Sequence, residues 1–156
     1  MASNPTRSDL EELVYRTCER LDEKDLAGFL SLCDAAFTYK VTAWAPEIRR
    51  EMTWLDRGRA ELEEFFKMLP KHNTDPNPLA RHAQVTRVSL DDAGGRAEVT
   101  STVQVFRTQL DGGATKLYAI GKYFDTVDCS GAAPRLLARH VRLDTRDLHW
   151  GTHLPI

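Results

Sequence analysis

Five histidines, His72, His82, His140, His149 and His153, and three cysteines, Cys18, Cys33 and Cys129, are the side chains best suited to hold a metal or move a proton. A zinc helix sets two imidazoles four residues apart on one face, with a glutamate after the first. His149 and His153 have that spacing, but Trp150 stands where the glutamate should be, and Gly151 and Pro155 interrupt a helix. No zinc site is expected there. A Rieske cluster takes two cysteines and two histidines, and a mononuclear iron takes two histidines and a carboxylate. No cysteine here has a histidine two residues on, and the three lie far apart. The chain by itself is therefore expected to hold neither centre, and its thiols are expected to be reduced and packed as small apolar groups.

Acid-base chemistry needs a histidine and a carboxylate meeting in an apolar cavity. His82 and Asp125, both on expected strands, are the best pair. The competing reading makes His82, beside Arg81, a hydrogen-bonded structural or interface group, and Asp125 a rim residue paired with Lys122 or Arg142. That reading is favoured, because the strand alternation places no second titratable residue beside His82. On it, His82→Ala would weaken assembly or stability by about 1–3 kcal/mol, as expected for a lost buried hydrogen bond. Nucleophile and nucleotide motifs are absent: there is no Gly-x-Ser-x-Gly, no phosphate loop and no dinucleotide fingerprint. Trp44, Trp54 and Trp150 fall near element ends, where they either cap the core or anchor a partner. Arg49, Arg50, Arg57 and Arg59 mix with Glu47, Glu51 and Asp56. That segment has the composition of a contact arm, and Trp44, Arg49, Arg50, Trp54, Arg57, Arg81, His82 and Trp150 are the expected interface residues.

The elements that must carry these groups follow from periodicity. Ser8-Asp9-Leu10-Glu11 has the form of a capping box, after which Leu10, Leu13, Val14, Cys18 and Leu21 make one apolar stripe. Asp22 to Asp25 repeats the cap signal before a second stripe of Leu26, Phe29, Leu30 and Cys33. Residues 37–44 alternate as a strand. Asp56 is the expected cap of a third helix carrying Leu62, Phe65, Phe66 and Leu69, which Pro70 closes. Four strands should follow, over 79–90, 97–109, 116–127 and 135–143, separated by Asp-Gly, Gly-Gly and Ser-Gly turns. The order predicts an α+β fold with a mainly antiparallel sheet packed against three helices from the N-terminal half.

The 156 residues form one expected domain, 1–156, with 42% hydrophobic and 28% charged side chains and a formal charge of −2. No basic field exists to gather nucleic acid, and no apolar run approaches the roughly 18 residues of a membrane span. The opening Met1-Ala2-Ser3-Asn4-Pro5 lacks a signal-peptide core, so the cytoplasm is expected.

Several segments resemble the small, or β, subunits of Rieske non-haem iron ring-hydroxylating oxygenases. They are Leu13 to Leu32, the run from Asp75 through Pro76, Asn77, Pro78 and Leu79 to Arg81 and His82, Ser101 to Arg107, and Ala138 to Asp144. The resemblance implies a cystatin-like, nuclear-transport-factor-2-like cone. It further implies a structural subunit, with no cofactor or catalytic residue of its own, in an oxygenase acting on a small organic acid. The Rieske [2Fe–2S] cluster and mononuclear Fe(II) would sit in a partner large (α) subunit, in a trimer of heterodimers, with NADH supplying electrons through a separate reductase or ferredoxin. Residues 148–156 are unlike the usual aromatic-dioxygenase ending. Together with Phe106 to Gly113 they look closer to the small subunits of methanesulfonate monooxygenases. The alternative is a free-standing isomerase, dehydratase or cyclase of the same cone, using His82 with Asp125.

Overall fold

A computed structural model describes residues 3–71, 75–149 and 154–156 of the chain, so His72, Trp150 and His153 lie outside the described residues. The first helix, α1, spans Arg7–Asp22 and starts two residues before the expected box. Its cap is Thr6: the Thr6 hydroxyl accepts from the Asp9 amide at 3.2 Å, and the Asp9 carboxylate accepts from the Thr6 amide at 2.7 Å. Thr6 prevails over Ser8 because the earlier start adds helical hydrogen bonds and frees Glu11 to pair with Arg7 at 2.6 Å. Asp25 caps α2 (Leu26–Ser31), accepting from the Gly28 amide at 2.9 Å. Cys33, expected on that helix, opens the first strand, β1 (Cys33–Ala45).

The expected contact arm is a strand. β2 (Arg50–Gly58) runs antiparallel to β1, and Asp56 belongs to it rather than capping a helix. The third helix, α3 (Arg59–Met68), begins at Gly58 and passes into a 3-10 turn at Leu69–Lys71 that contains Pro70. The remaining strands are β3 (Leu79–Leu90), β4 (Arg96–Thr108), β5 (Thr115–Asp128) and β6 (Arg135–Leu143), within one residue of the expected bounds.

The six strands form one curved sheet in the order β2-β1-β6-β5-β4-β3. Every neighbouring pair is antiparallel except β1 and β6, which run parallel. Helix α1 lies against β3, and α3 against β1 and β2. The core fills the concave side: Leu10, Val14 and Leu21 from α1, Phe29 from α2 and Leu62 from α3 meet Phe37, Val41, Val99, Val103, Val105, Val127, Leu136 and Val141, none more than 1% exposed. Each such side chain contributes about 1.5–3 kcal/mol on burial, which holds the helices in the mouth of the cone.

Candidate functional site

Successive strand residues face opposite sides, and the sheet therefore offers an inner and an outer surface. On β5 the inward positions are Gly121, Tyr123, Asp125 and Val127, and on β6 they include Arg139 and Val141. Asp125 and Arg139 are register partners. The Arg139 Nε and Nη2 donate to the two Asp125 carboxylate oxygens at 2.8 Å each, with both side chains fully buried. The guanidinium carbon also lies 4.0 Å from the centroid of the Tyr123 ring. Burial pulls the Arg139 pKa down, but the Asp125 carboxylate outweighs it and holds the pKa above the ordinary value, so this cation never discharges.

Arg81 also turns inward. Its Nη1 donates to Asp22 at 2.7 Å and its Nη2 to the Pro155 carbonyl at 2.5 Å. Tyr39 accepts from the Ile156 amide at 2.7 Å, and Tyr123 donates to the Ile156 carbonyl at 2.9 Å. Burial pushes the Tyr39 phenol up to about 12 and the Tyr123 phenol well above its usual value. It also raises the Cys18 thiol and takes that of Cys33 to about 12. These groups stay neutral at physiological pH and serve as hydrogen-bonding and packing groups rather than as nucleophiles.

His82 and Asp125 do not meet. His82 follows inward-facing Arg81 and so points outward, exposed, with its ring 5.2 Å from that of Phe106 in an edge-on contact. Asp125 is 0% exposed and paired with Arg139, not with Lys122 or Arg142 as the sequence suggested. The cause is strand parity: Arg81 pairs with Val105 and Asp125 with Val99, two inward residues of β4. The stability cost expected for His82→Ala assumed a hydrogen bond buried within the chain, and the exposure of His82 removes that premise for the isolated chain.

The outer surface carries the groups that could meet a partner. Trp44 is 53% exposed and faces Glu51 across the β1–β2 pair. Trp54 is 41% exposed at an irregularity in that pair, where the register passes from Val41↔Leu55 to Thr42↔Thr53 and leaves Trp54 as the extra residue of a bulge. Arg49, Arg50 and Arg57 are exposed around it. Inboard, the Thr42 hydroxyl lies 2.5 Å from Glu51 and 2.7 Å from His140 Nε2, and Arg142 lies 3.6 Å from Glu51. A shallow depression of 180 Å³ sits there, bordered by Trp44, Phe124, Arg142 and Lys122. A second, of 410 Å³, continues from Lys122 and Ile120 across the sheet to His82. The surface is broad, shallow and mixed aromatic and charged, which suits a protein partner better than a small substrate.

Among the described residues, no group of three or more His, Cys, Asp or Glu side chains is placed to hold a metal ion. Cys18 and Cys33 are buried and Cys129 is half-buried, and neither a Rieske ligand set nor a two-histidine, one-carboxylate set is assembled around them. The described residues do not fit either iron centre. Among the described residues, no helix is long and apolar enough to cross a membrane.

Comparison with known proteins agrees with this arrangement. The family described as ring hydroxylating beta subunit matches residues 16–149. The chain is 38% identical to the methanesulfonate monooxygenase hydroxylase subunit beta of Methylosulfonomonas methylovora, over 92% of this chain and 83% of that protein. It is 31% identical to the 2-aminobenzenesulfonate 2,3-dioxygenase subunit beta of an Alcaligenes species, over 94% of this chain and 97% of that protein. In fold it superposes on the beta subunit of the benzoate 1,2-dioxygenase of Burkholderia mallei with a TM-score of 0.72 at 17% identity, covering 97% of this chain and 98% of that one. The family match over most of the chain, with two β-subunit relatives above 30% identity, leads to one conclusion: this chain belongs to the ring-hydroxylating β-subunit family, and takes part in oxygenase chemistry as a structural small subunit of a hydroxylase.

Proposed function

We propose that this chain supports a Rieske-type large subunit that hydroxylates a small organic sulfonate. The observation that carries the substrate class is that the two relatives described above are β subunits of oxygenases named for sulfonates, one alkyl and one aryl. In this reading the partner bears the [2Fe–2S] cluster and the mononuclear Fe(II), three heterodimers close into a ring, and NADH supplies electrons in the cytoplasm through a separate reductase or ferredoxin. The contact surface is the β2 edge and the outer sheet: Trp44, Arg49, Arg50, Trp54 and Arg57, with His82 at the far side. Arg81 supports that side from within.

The test is reconstitution. The large subunit is purified with and without this chain, and oxygen uptake per iron is measured with methanesulfonate, 2-aminobenzenesulfonate and benzoate. Uptake on a sulfonate that requires this chain, in a particle holding the two chains in equal number, is the expected result. Uptake on benzoate alone would overturn the substrate class, and full uptake without this chain would overturn the supporting role.

A further inference from the structure

The interior of the cone holds a segment of its own chain in the way a pocket holds a ligand. Leu154 is half-buried, Pro155 is buried and Ile156 is 0% exposed. Side chains from three strands bind the segment's backbone. Tyr39 on β1 accepts from the Ile156 amide, Tyr123 on β5 donates to the Ile156 carbonyl, and Arg81 on β3 donates to the Pro155 carbonyl. All three are buried, and two are fixed from behind, Arg81 by Asp22 and Tyr123 by the guanidinium of Arg139. Donors and acceptors held rigidly around an enclosed apolar slot are the features of a binding site.

The seat also has more donors than the segment uses. Arg81 Nε, Ser101 Oγ and Arg139 Nη1 are buried without a hydrogen-bond partner among the described residues. Folded cores leave few such atoms. All three belong to residues that hold the segment or adjoin those that do: Ser101 is the register partner of Tyr123, Arg139 lies over the Tyr123 ring, and Arg81 holds Pro155.

We propose that the cone interior is a binding site for a short aliphatic peptide or an N-acylated branched-chain amino acid, occupied in cis by Leu154–Ile156. The ligand must offer an amide N–H to Tyr39, carbonyls to Tyr123 and Arg81, and a branched aliphatic side chain to the slot of Ile156. The spare donors accommodate a further acceptor group. Tethering keeps the segment at an effective concentration on the order of millimolar, so an external ligand competes poorly while the segment is seated.

The test uses a chain shortened to residues 1–153 and the probe acetyl-Leu-Pro-Ile-amide, with calorimetric titration and thermal unfolding as readouts. One probe molecule per chain should bind and raise the unfolding temperature. Acetyl-Leu-Pro-Gly-amide should bind about tenfold more weakly or worse, since it leaves the apolar slot empty. The intact chain should bind neither at the same concentrations. A folded 1–153 chain that ignores the isoleucine probe, or binds both probes equally, would overturn the proposal. Where the shortened chain does not fold, Ile156→Lys in the full chain decides, because a cation cannot enter the apolar slot beside Arg81 and Arg139, so the segment leaves its seat and frees the backbone contacts for the probe. Binding of the isoleucine probe to that variant supports the site, and its absence rejects it.

Discussion

A buried ion pair such as Asp125–Arg139 is weak evidence for net stability, yet breaking it from one side is costly because the remaining charge has nowhere to go. Asp125→Asn should therefore lower the unfolding free energy by about 3 kcal/mol or more, while replacing both members, Asp125→Leu with Arg139→Met, should cost much less. Urea unfolding of the single and double variants checks this, and a loss below about 1 kcal/mol for the single variant would contradict it. His140 supplies the pH dependence. Burial lowers its pKa from the ordinary 6.5, against the opposing pull of Glu51, while Lys40 and Arg142 add to the lowering. The Thr42 hydrogen bond, with Arg142, His140 and Lys40 nearby, lowers the Glu51 carboxyl from 4.5. Where a folded pKa is depressed, the unfolded chain binds more protons, so stability is complete above the unfolded value and is lost as the pH falls. Stability should decline from about pH 6.5 downward, and His140→Gln should flatten the upper part of that decline in urea midpoints measured from about pH 7.5 to 5. Asp125 shows what the sequence conveyed at this scale. Alternation with Tyr123 and Val127 put it on one face, but only the β5–β6 register, a non-local fact, supplied Arg139 as its partner.

Among the elements, β3 to β6 were legible because each buries one face and so alternates in sequence. β2 was not, because it holds no fully buried position: Leu55 packs only partly against the core, and no apolar period marks the strand. The charges that made it look like an arm are those that protect an edge strand from pairing with the wrong neighbour. The missed helix start has a different cause, since Thr6 and Ser8 each have a carboxylate three residues on and local sequence does not rank them. If the β2 edge and Trp44 form the contact surface, Trp44→Ala and Trp54→Ala should each weaken assembly with the large subunit by about 2 kcal/mol or more. The isolated chain should lose no more than about 0.5 kcal/mol of stability. Sedimentation of the mixed subunits, alongside urea unfolding of the chain, separates the two effects. The β5–β6 pair is sensitive for another reason. A Cβ at Gly121 would strike the Arg142 carbonyl of the neighbouring strand and crowd the Leu143 Cα at 2.9 Å. Gly121→Ala should push these strands apart and cost about 1–3 kcal/mol, read as a lower thermal midpoint. An unchanged midpoint would show that the strands have room to give.

At the scale of the whole molecule, family resemblance and element order converged because the motifs lie on the elements that build the cone. What sequence could not convey was how the interior is filled. The inner tyrosines and arginines are spread over β1, β3, β5 and β6, and converge with Leu154–Ile156 only after the sheet curves. A cone whose mouth is roofed by helices and whose inside is taken up by its own chain presents mainly its outer wall to other molecules.

The single parallel contact, between β1 and β6, sets the order in which this molecule can come into being. β1 emerges early in synthesis, and the strand that completes its hydrogen bonding emerges last of the six. Until then the β1–β2 hairpin and the β3–β5 meander are two separate halves, each with an open edge and an uncovered apolar side. Pairing strands so distant along the chain carries a large loop-closure cost and folds slowly, and unpaired edges invite association in the meantime. The two halves become one sheet only when β6 has emerged to pair with both β1 and β5.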